Sequence, residues 1–584
     1  MRAQKIKEKK KTTREEAIDE ILRKIKEIEN PTQKKLNGLK REITIKHQLG
    51  RVPTNIELLT HIKKEDSAFY KKTLFTKPVR TTSGVAPLAI MTAPFRCPHG
   101  KCTFCPGGPS SYYGDVPQSY TGHEPTTMRA MRNQYDSYLQ VFNRLEQYVL
   151  LGQTPDKAEL IVMGGTFPAI PEEYQNEFVR GAFKAMNDFS DMFYQGNKLN
   201  FDRFREFFEL PGEVGSKERT EHIHKKLLEI KSRAKTTLEQ EKEKNERAKI
   251  RCVALCIETK PDWAKLKHGN LMLAQGCTRV EIGVQSVYDD VLLKTHRGHT
   301  AEDTKESFQI LRDLGFKISA HYMPGMPLTD EKRDIEGLKE LFANPDYRPD
   351  MLKIYPCMVA PGTALYQEWK EGKFTPLTAD QAARRIAKMK EFIPRYCRVQ
   401  RIQRDVPTKM WAAGVEFTNL RQYIHEKYKP KCECIRCREP MGKAIDFAEA
   451  KINVMKYEAS NGTEFFISID DTKNDIILGF CRLRFPSQQF REEITKDSAI
   501  IRELHVYGTA TALGEEGAKE TTAQHRGLGK QLMEKAEQIA IENGKKKMVV
   551  ISGVGAREYY YKLGYKREGP YVSKKMEEVP IKQK

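Results

Sequence analysis

The chain has 584 residues, too many for one hydrophobic core and enough for about three domains. A hydrophobic fraction of 39% allows real cores, and no apolar run is long enough for a membrane span, which excludes a helical membrane protein. The formal net charge of +21 suits a polyanion partner, most simply nucleic acid, against the plainer reading of a generally basic protein.

The first seven residues, Met1-Arg-Ala-Gln-Lys-Ile-Lys, are basic but lack the apolar core of a signal peptide, so a cytoplasmic location is expected. Six of the 12 cysteines fall in two tight clusters, a pattern of metal ligation in a reducing cytosol rather than of disulfides. Residues 1–80 carry 22 Lys/Arg against 11 Asp/Glu, which is +11 of the total. Ile18, Ile21, Leu22, Ile25 and Ile28 recur at helical spacing opposite Arg23, Lys24 and Lys26. Ile56, Leu58, Leu59 and Ile62 make a second helical patch after Pro53. The spacing predicts a small helical module whose basic face lies on an RNA backbone, with a solvated charged surface as the alternative.

Residues 81–394 alternate strand-like and helix-like stretches. Pro87 to Ala93 reads as a buried strand that delivers Cys97-Pro-His-Gly-Lys-Cys102-Thr-Phe-Cys105, followed by Pro106-Gly107-Gly108-Pro109. Three thiolates suit an iron–sulfur cluster with one iron left free, or zinc with a fourth ligand from elsewhere. The C-x4-C-x2-C spacing, with Phe104 before the last cysteine, resembles the cluster loop of radical S-adenosylmethionine (SAM) enzymes. The usual first gap there is three residues, and here it is four. Residues 126–151 are long and amphipathic. Five further strand-like runs start at Glu159, Cys252, Val280, Lys317 and Met351. The six strands predict a parallel sheet, barrel or open, with its chemistry at the carboxyl ends. Gly164 and Gly165 resemble the radical-SAM turn whose backbone meets the amino group of SAM. Glu258, Glu281 and Gln285 end strands and are candidates for the SAM ribose or the substrate, with helix capping as the plainer role. The charged segment 186–250, strongly helical over 225–249, reads as a surface insertion.

Residues 395–440 read as a basic linker. Cys432, Cys434 and Cys437 form C-x-C-x2-C among Lys429, Lys431, Arg436 and Arg438, cations that favour thiolates. Zinc wants four ligands, and Cys357, after the sixth strand, is the expected fourth. A second iron–sulfur cluster or free thiols are the alternatives. Arg395, Arg398, Arg401 and Arg404 fall at every third residue and are expected to grip RNA phosphates and unpaired bases.

The composition changes over 441–584. Three antiparallel strands end in Glu503-Leu504-His505-Val506, and Gln524-His525-Arg526-Gly527-Leu528-Gly529 then opens a helix. That turn presents free N–H groups and a helix dipole to a pyrophosphate. It resembles the acetyl-CoA loop of the GCN5-related acetyltransferase (GNAT) fold, and the later Tyr559-Tyr560 suits the same fold in the same order. A tyrosine there can act as an acid on the thioester sulfur; Tyr560 is the first candidate and Tyr559 the second.

A radical-SAM domain, a cysteine cluster and a GNAT domain in this order resemble the catalytic subunits of Elongator, in their stand-alone archaeal form. The resemblance rests on Cys97 to Cys105, Met163-Gly-Gly-Thr-Phe167, Arg401-Ile-Gln-Arg-Asp-Val-Pro407, Glu503-Leu-His-Val-Tyr-Gly508 and Ile551-Ser-Gly-Val-Gly555. It implies an α/β chain with a partial (β/α) barrel holding a [4Fe–4S] cluster and SAM, then an acetyl-CoA-binding domain. It implies carboxymethylation of the tRNA wobble uridine: a 5′-deoxyadenosyl radical takes a hydrogen from the acetyl methyl, and the carbon radical attacks C5. It also implies that Lys157 contacts the acetyl-CoA nucleotide. The implied partners are the tRNA anticodon loop, acetyl-CoA and an electron donor for the cluster, with no membrane and with a homodimer left open. The rival readings are a protein lysine acetyltransferase with a structural cluster and a non-catalytic RNA scaffold.

Overall fold

A computed structural model of the chain describes residues 2–62, 66–74, 84–153, 155–210, 216–441, 443–507 and 527–576. Seven strands form the central sheet: β1 (Ala86–Met91), β2 (Lys157–Met163), β3 (Arg251–Thr259), β4 (Arg279–Gln285), β5 (Lys317–Tyr322), β6 (Met351–Ile354) and β7 (Arg398–Ile402). They lie side by side in chain order and every pairing is parallel. Parallel pairing requires a crossover between strands, and helices supply most of them, giving an open, partial barrel. The sheet has one strand more than the sequence reading. β7 lies beyond residue 394, in the stretch read as a linker. Val399 and Ile402 bury in the core and hold it there, and the arginines around them hide that short pattern.

Two other expectations change. Residues 126–151 form two helices, Pro125–Arg132 and Ser137–Leu150. Gln134 and Tyr135 take φ of 54° and 55° between them, and the Asp136 carboxylate then accepts from Leu139 N to cap the second helix. Residues 186–250 are no surface insertion. Phe189, Phe193, Phe204, Phe208, Ile223 and Leu227 join the main core. The helix expected over 225–249 stops at Ser232 and restarts at Leu238, where Thr237 forms a capping box with Gln240.

The N-terminal module is helical, as its periodicity predicts. Ile18, Ile21, Leu22, Ile25, Leu36, Ile43 and Leu58 form its core, while Arg23 and Lys26 stay exposed.

The second sheet runs β8 (Ala450–Ala459), β9 (Gly462–Asp471), β10 (Ile476–Phe485), β11 (Ser498–Val506), β12 (Lys547–Val550), then β14 (Tyr571–Lys575) and the edge strand β13 (Lys566–Glu568). Only β11 and β12 pair in parallel, and only over Ser498–Ile501 with Lys547–Val550. The pairing with β12 ends at Ile501, and the edge of Arg502–Val506 that faces away from β10 has no strand partner among the described residues.

The two sheets meet at the N-terminal rim of the barrel through buried charges. Arg502 donates to both carboxylate oxygens of Asp350 (2.8 and 2.7 Å) and to Glu464 (2.8 Å), and Arg484 pairs with Asp313 (2.5 Å) and Glu464 (3.0 Å). The acetyltransferase-like domain therefore sits at the end of the barrel opposite the cysteine loop.

Candidate active site

The cysteine loop leaves β1 and folds over the carboxyl ends of the strands. Cys102 and Cys105 are buried, and Cys97 is half-buried. Burial pushes the Cys97 thiol up, and Cys105 to about 11, so a bound cation must supply the ionisation of these ligands. Together with the strand ends, the loop lines a cavity of about 160 Å³. Gly165 lines it with φ of 94°, next to Gly164 with φ of 140°. A Cβ on Gly164 would overlap Thr92 Oγ1, and one on Gly165 would stand 3.1 Å from Gln118 Cβ. Positive φ and the close approach of Thr92 and Gln118 make both positions fit for glycine.

Glu258, Glu281 and Gln285 reach the same cavity. Glu258 and Glu281 are in register on neighbouring strands, yet their environments differ. Burial raises Glu258, and Tyr120 Oη donates to it at 2.7 Å. Glu281 is just as buried, but Lys353, His321 and Arg279 hold it well below the usual carboxylate range. Gln285 has φ of 66°, uncommon for a non-glycine residue at a strand end. A larger hollow of about 1000 Å³ continues down the barrel. It shares Glu258, Glu281, Lys353 and Arg401 with the first cavity and reaches Pro87, Glu159, Arg279 and Arg398 nearer the strand starts. The two cavities thus share a wall and extend from the cysteine end toward the strand starts.

In that second domain, Glu503, Leu504, His505 and Val506 lie along the splayed strand. Glu503 pairs with Arg482 (2.9 Å), and His505 stacks on Phe480. Gly527, with φ of 71°, starts the helix Leu528–Glu542. Gln524, His525 and Arg526 lie outside the described residues. A Cβ on Gly529 would stand 2.9 Å from Tyr559 Oη, so the Tyr559 hydroxyl lies over that helix start. Tyr560 is buried in the domain core, where burial pushes its hydroxyl far up, while Tyr559 is half-exposed. Lys157 begins β2 and is in register with Arg251. Arg251 packs under Gly555 of the second domain, where a Cβ would stand 2.5 Å from Arg251 Cβ. Lys157 is thus at the docking rim, remote from the cysteine loop.

The second cysteine cluster forms without Cys357. The ligand atoms of Cys432, Cys434 and Cys437 lie within 4.8 Å of one another. Cys357 is buried instead in one apolar cluster with Cys102, Cys105, Met323 and Met326. The reason is topological: Cys357 follows β6 at the carboxyl end of the barrel, whereas Ile435 N bonds to Cys397 O ahead of β7, at the other end. Lys390 Nζ stands 3.9 Å from Cys437 Sγ and 2.8 Å from His425 Nε2.

The four arginines do not form one RNA-facing stripe. Arg395 pairs with Asp475 (2.6 Å) and Arg398 with Glu439 (2.6 Å), which makes both structural. Arg401, paired with Asp405 (2.6 Å), and Arg404, bonded to Ser119 O and over the Tyr120 ring, border the cavity. A strand turns alternate residues to opposite faces, so a three-residue spacing cannot keep them together.

Four family models match the chain in order: the ELP3 N-terminal domain over residues 14–82, the radical SAM superfamily over 92–337, the radical SAM C-terminal domain over 349–429 and the acetyltransferase (GNAT) family over 424–565. A Methanocaldococcus infernus protein called tRNA uridine(34) acetyltransferase is 44% identical over 570 residues, 96% of this chain and 98% of its own. The chain belongs to the Elongator complex protein 3 family. The Homo sapiens Elongator complex protein 3 is 38% identical over 556 residues, covering 92% of this chain and 93% of its own. A solved structure of the archaeal M. infernus Elp3 with an N-terminal deletion superposes with a TM-score of 0.68 at 40% identity, over 85% of this chain and all of that one.

The two cysteine donor sets suit two different inorganic groups. Among the described residues, the only metal-type trio within 4.8 Å is Cys432, Cys434 and Cys437. The Cys434 Sγ to Cys437 Sγ distance of 3.7 Å fits ligands around one tetrahedral ion with metal–sulfur bonds of about 2.3 Å. Cys97, Cys102 and Cys105 are spread more widely, as three corners of a cubic cluster require. The sequence reading missed His99, Tyr120, Arg297, His321, Lys353 and Tyr355, which also line the cavity. The one signal available was the basic turn His296-Arg297-Gly298-His299 directly after the helix that follows β4.

Proposed function

We propose that this chain is a cytoplasmic tRNA uridine(34) acetyltransferase that forms 5-carboxymethyluridine from acetyl-CoA by SAM-dependent radical chemistry. What supports this reading is the cysteine-lined cavity at the carboxyl ends of the barrel strands, with a second cavity that shares its wall and runs toward the strand starts, in a chain that also carries a GNAT-family domain and has relatives named tRNA uridine(34) acetyltransferase. C5 of uridine is a poor nucleophile for acyl transfer, so a radical domain beside an acyl-CoA domain has a chemical purpose.

Cys97, Cys102 and Cys105 would hold the cluster, with the Gly164–Gly165 backbone and Gln285 at the SAM end. When loaded, cluster and SAM supply a one-electron hydrogen abstraction, for which an external electron donor is needed. Glu503 to Val506 would pair with the pantetheine arm, and residues 524–529 and Lys157 would take the phosphates. Tyr559, against Gly529 at the helix start, would serve the thioester end or the pyrophosphate, while Tyr560 supports it from the core. Glu258 and Tyr120 would meet the flipped base, and Arg401 and Arg404 its phosphates. Cys432, Cys434 and Cys437 would bind zinc and pin the segment after β7.

The test is anaerobic incubation of reconstituted protein with tRNA, SAM, acetyl-CoA and reductant, followed by nucleoside mass spectrometry. Carboxymethyluridine that disappears with Cys102→Ala supports the reading. Protein lysine acetylation that survives Cys102→Ala, with no modified uridine, contradicts it.

A further inference from the structure

The three cysteines of the loop have unequal surroundings. Among the described residues, Cys97 Sγ meets the Thr166 hydroxyl at 3.6 Å, and Cys105 Sγ receives the backbone N–H of Ser119 and meets the Gln118 amide oxygen, each at 3.2 Å. Cys102 Sγ receives Arg297 Nη1 and lies against His99 Nε2, each at 3.3 Å, and against a thiolate the Nε2–H tautomer of His99 is the one that donates. Both are fixed in place. Arg297 is buried, its Nη2 donates to Gly283 O at 2.7 Å, and its Nε has no partner among the described residues. His99 rests on Gly298, where φ is 68° and a Cβ would stand 2.5 Å from His99 Cβ. His99 lies within the four-residue first gap of the cysteine loop. Gly100, with φ of 88°, bonds back to Cys97 O at 3.0 Å, and this turn folds the imidazole onto the cysteine three residues ahead.

We propose that Arg297 and His99 are a donor pair on the Cys102 thiolate that raises the reduction potential of the bound cluster. They thereby set how readily it accepts the electron that SAM cleavage requires. The proposal rests on the cluster reading above. The step is a one-electron transfer from an external reductant to the cluster; no bond forms or breaks and no proton moves. The added electron makes the cluster more negative, so N–H donors and a cation against one ligand sulfur stabilise the reduced form more than the oxidised form. Arg297 carries a full charge into a site with little water, and its share is the larger. His99 contributes an N–H dipole, which gives the extra residue of the loop a purpose. Both are positioning residues that act through Cys102.

The experiment uses full-length protein, reconstituted anaerobically with iron and sulfide, without SAM, acetyl-CoA or tRNA. The reduced cluster is followed by electron paramagnetic resonance in a potentiometric titration. At the potential that half-reduces the wild type, His99→Phe is expected to lower the reduced-to-oxidised ratio about tenfold, a shift of about 59 mV for a one-electron couple. Arg297→Met is expected to lower it further, and Arg297→Lys less than Arg297→Met, because the charge stays and the fork is lost. If Arg297→Met loses its iron, His99→Phe and Arg297→Lys decide. Variants with wild-type iron content that titrate at the wild-type potential overturn the proposal and leave the cluster reading intact. A wild-type protein that takes up no iron and sulfide overturns both.

Discussion

Asp350→Asn tests the buried charges that join the two domains. Asp350 lies just before β6 and is fully buried. Arg502 clasps it through both oxygens, and Arg482 Nη1 stands 3.5 Å away. Against the penalty of its burial, Arg502, Arg482 and Arg312 hold its carboxyl below the usual range. Asparagine keeps the shape and removes the charge, which leaves two buried arginines short of an anion. Losing one partner of a buried pair costs about 3–5 kcal/mol. Glu464 still meets Arg502 at 2.8 Å and Glu503 still meets Arg482 at 2.9 Å, so the lower end, about 3 kcal/mol, is expected. Asp350 belongs to the barrel and the arginines to the second domain, so the loss falls on their junction. Trp263, Trp369 and Trp411 are the chain's 3 tryptophans, and all lie on the barrel side. In urea, tryptophan fluorescence follows the barrel and far-ultraviolet circular dichroism follows the whole chain. The two transitions are expected to separate in Asp350→Asn, and Arg502→Met added to it is expected to restore part of the loss. The folded value of Asp350 lies below its ordinary 3.8, so its contribution is present above that pH and fades only in stronger acid. A variant within about 1 kcal/mol of wild type, with coincident transitions at neutral pH, refutes the reasoning.

Glu258 gives a pH dependence of the opposite sign. Burial raises its folded value above the ordinary 4.5, so its contribution is complete below that pH and is lost as pH rises through the folded value. Glu258→Gln is expected to flatten this decline in a series of urea midpoints between pH 4 and about pH 8. Gly164→Ala is expected to weaken SAM binding about tenfold or more in equilibrium dialysis, because its Cβ would overlap Thr92 Oγ1 at a φ of 140°. Gly38→Ala, in the helix Gln33–Lys46 with nothing within 4 Å, is the control and is expected to stabilise by about 0.5–1 kcal/mol. Cys434→Ser is expected to release the zinc in metal analysis, whereas Cys357→Ser retains it.

What the sequence showed and what it hid follow from physical range. The cysteine loop, the glycine pair after β2 and the splayed strand were legible because each is a local pattern whose chemistry needs adjacent residues. Six barrel strands were legible because buried parallel strands read as short apolar runs. β7 was not, since Val399 and Ile402 stand among arginines. Cys357 was misplaced because spacing in the chain does not say which end of a barrel a strand end occupies. The arginine stripe failed for a related reason, since Arg395 and Arg398 meet Asp475 and Glu439 from distant segments. Tyr120, Lys353 and Arg297 reach the cavity only through the fold.

The most direct test of the central claim follows the acetyl methyl hydrogens. Reconstituted protein would be given tRNA, unlabelled SAM and acetyl-CoA deuterated in the methyl group, and the products read by mass spectrometry. The account expects one deuterium in 5′-deoxyadenosine and two in the side chain of the modified uridine. Modified uridine formed with 5′-deoxyadenosine free of deuterium would contradict it.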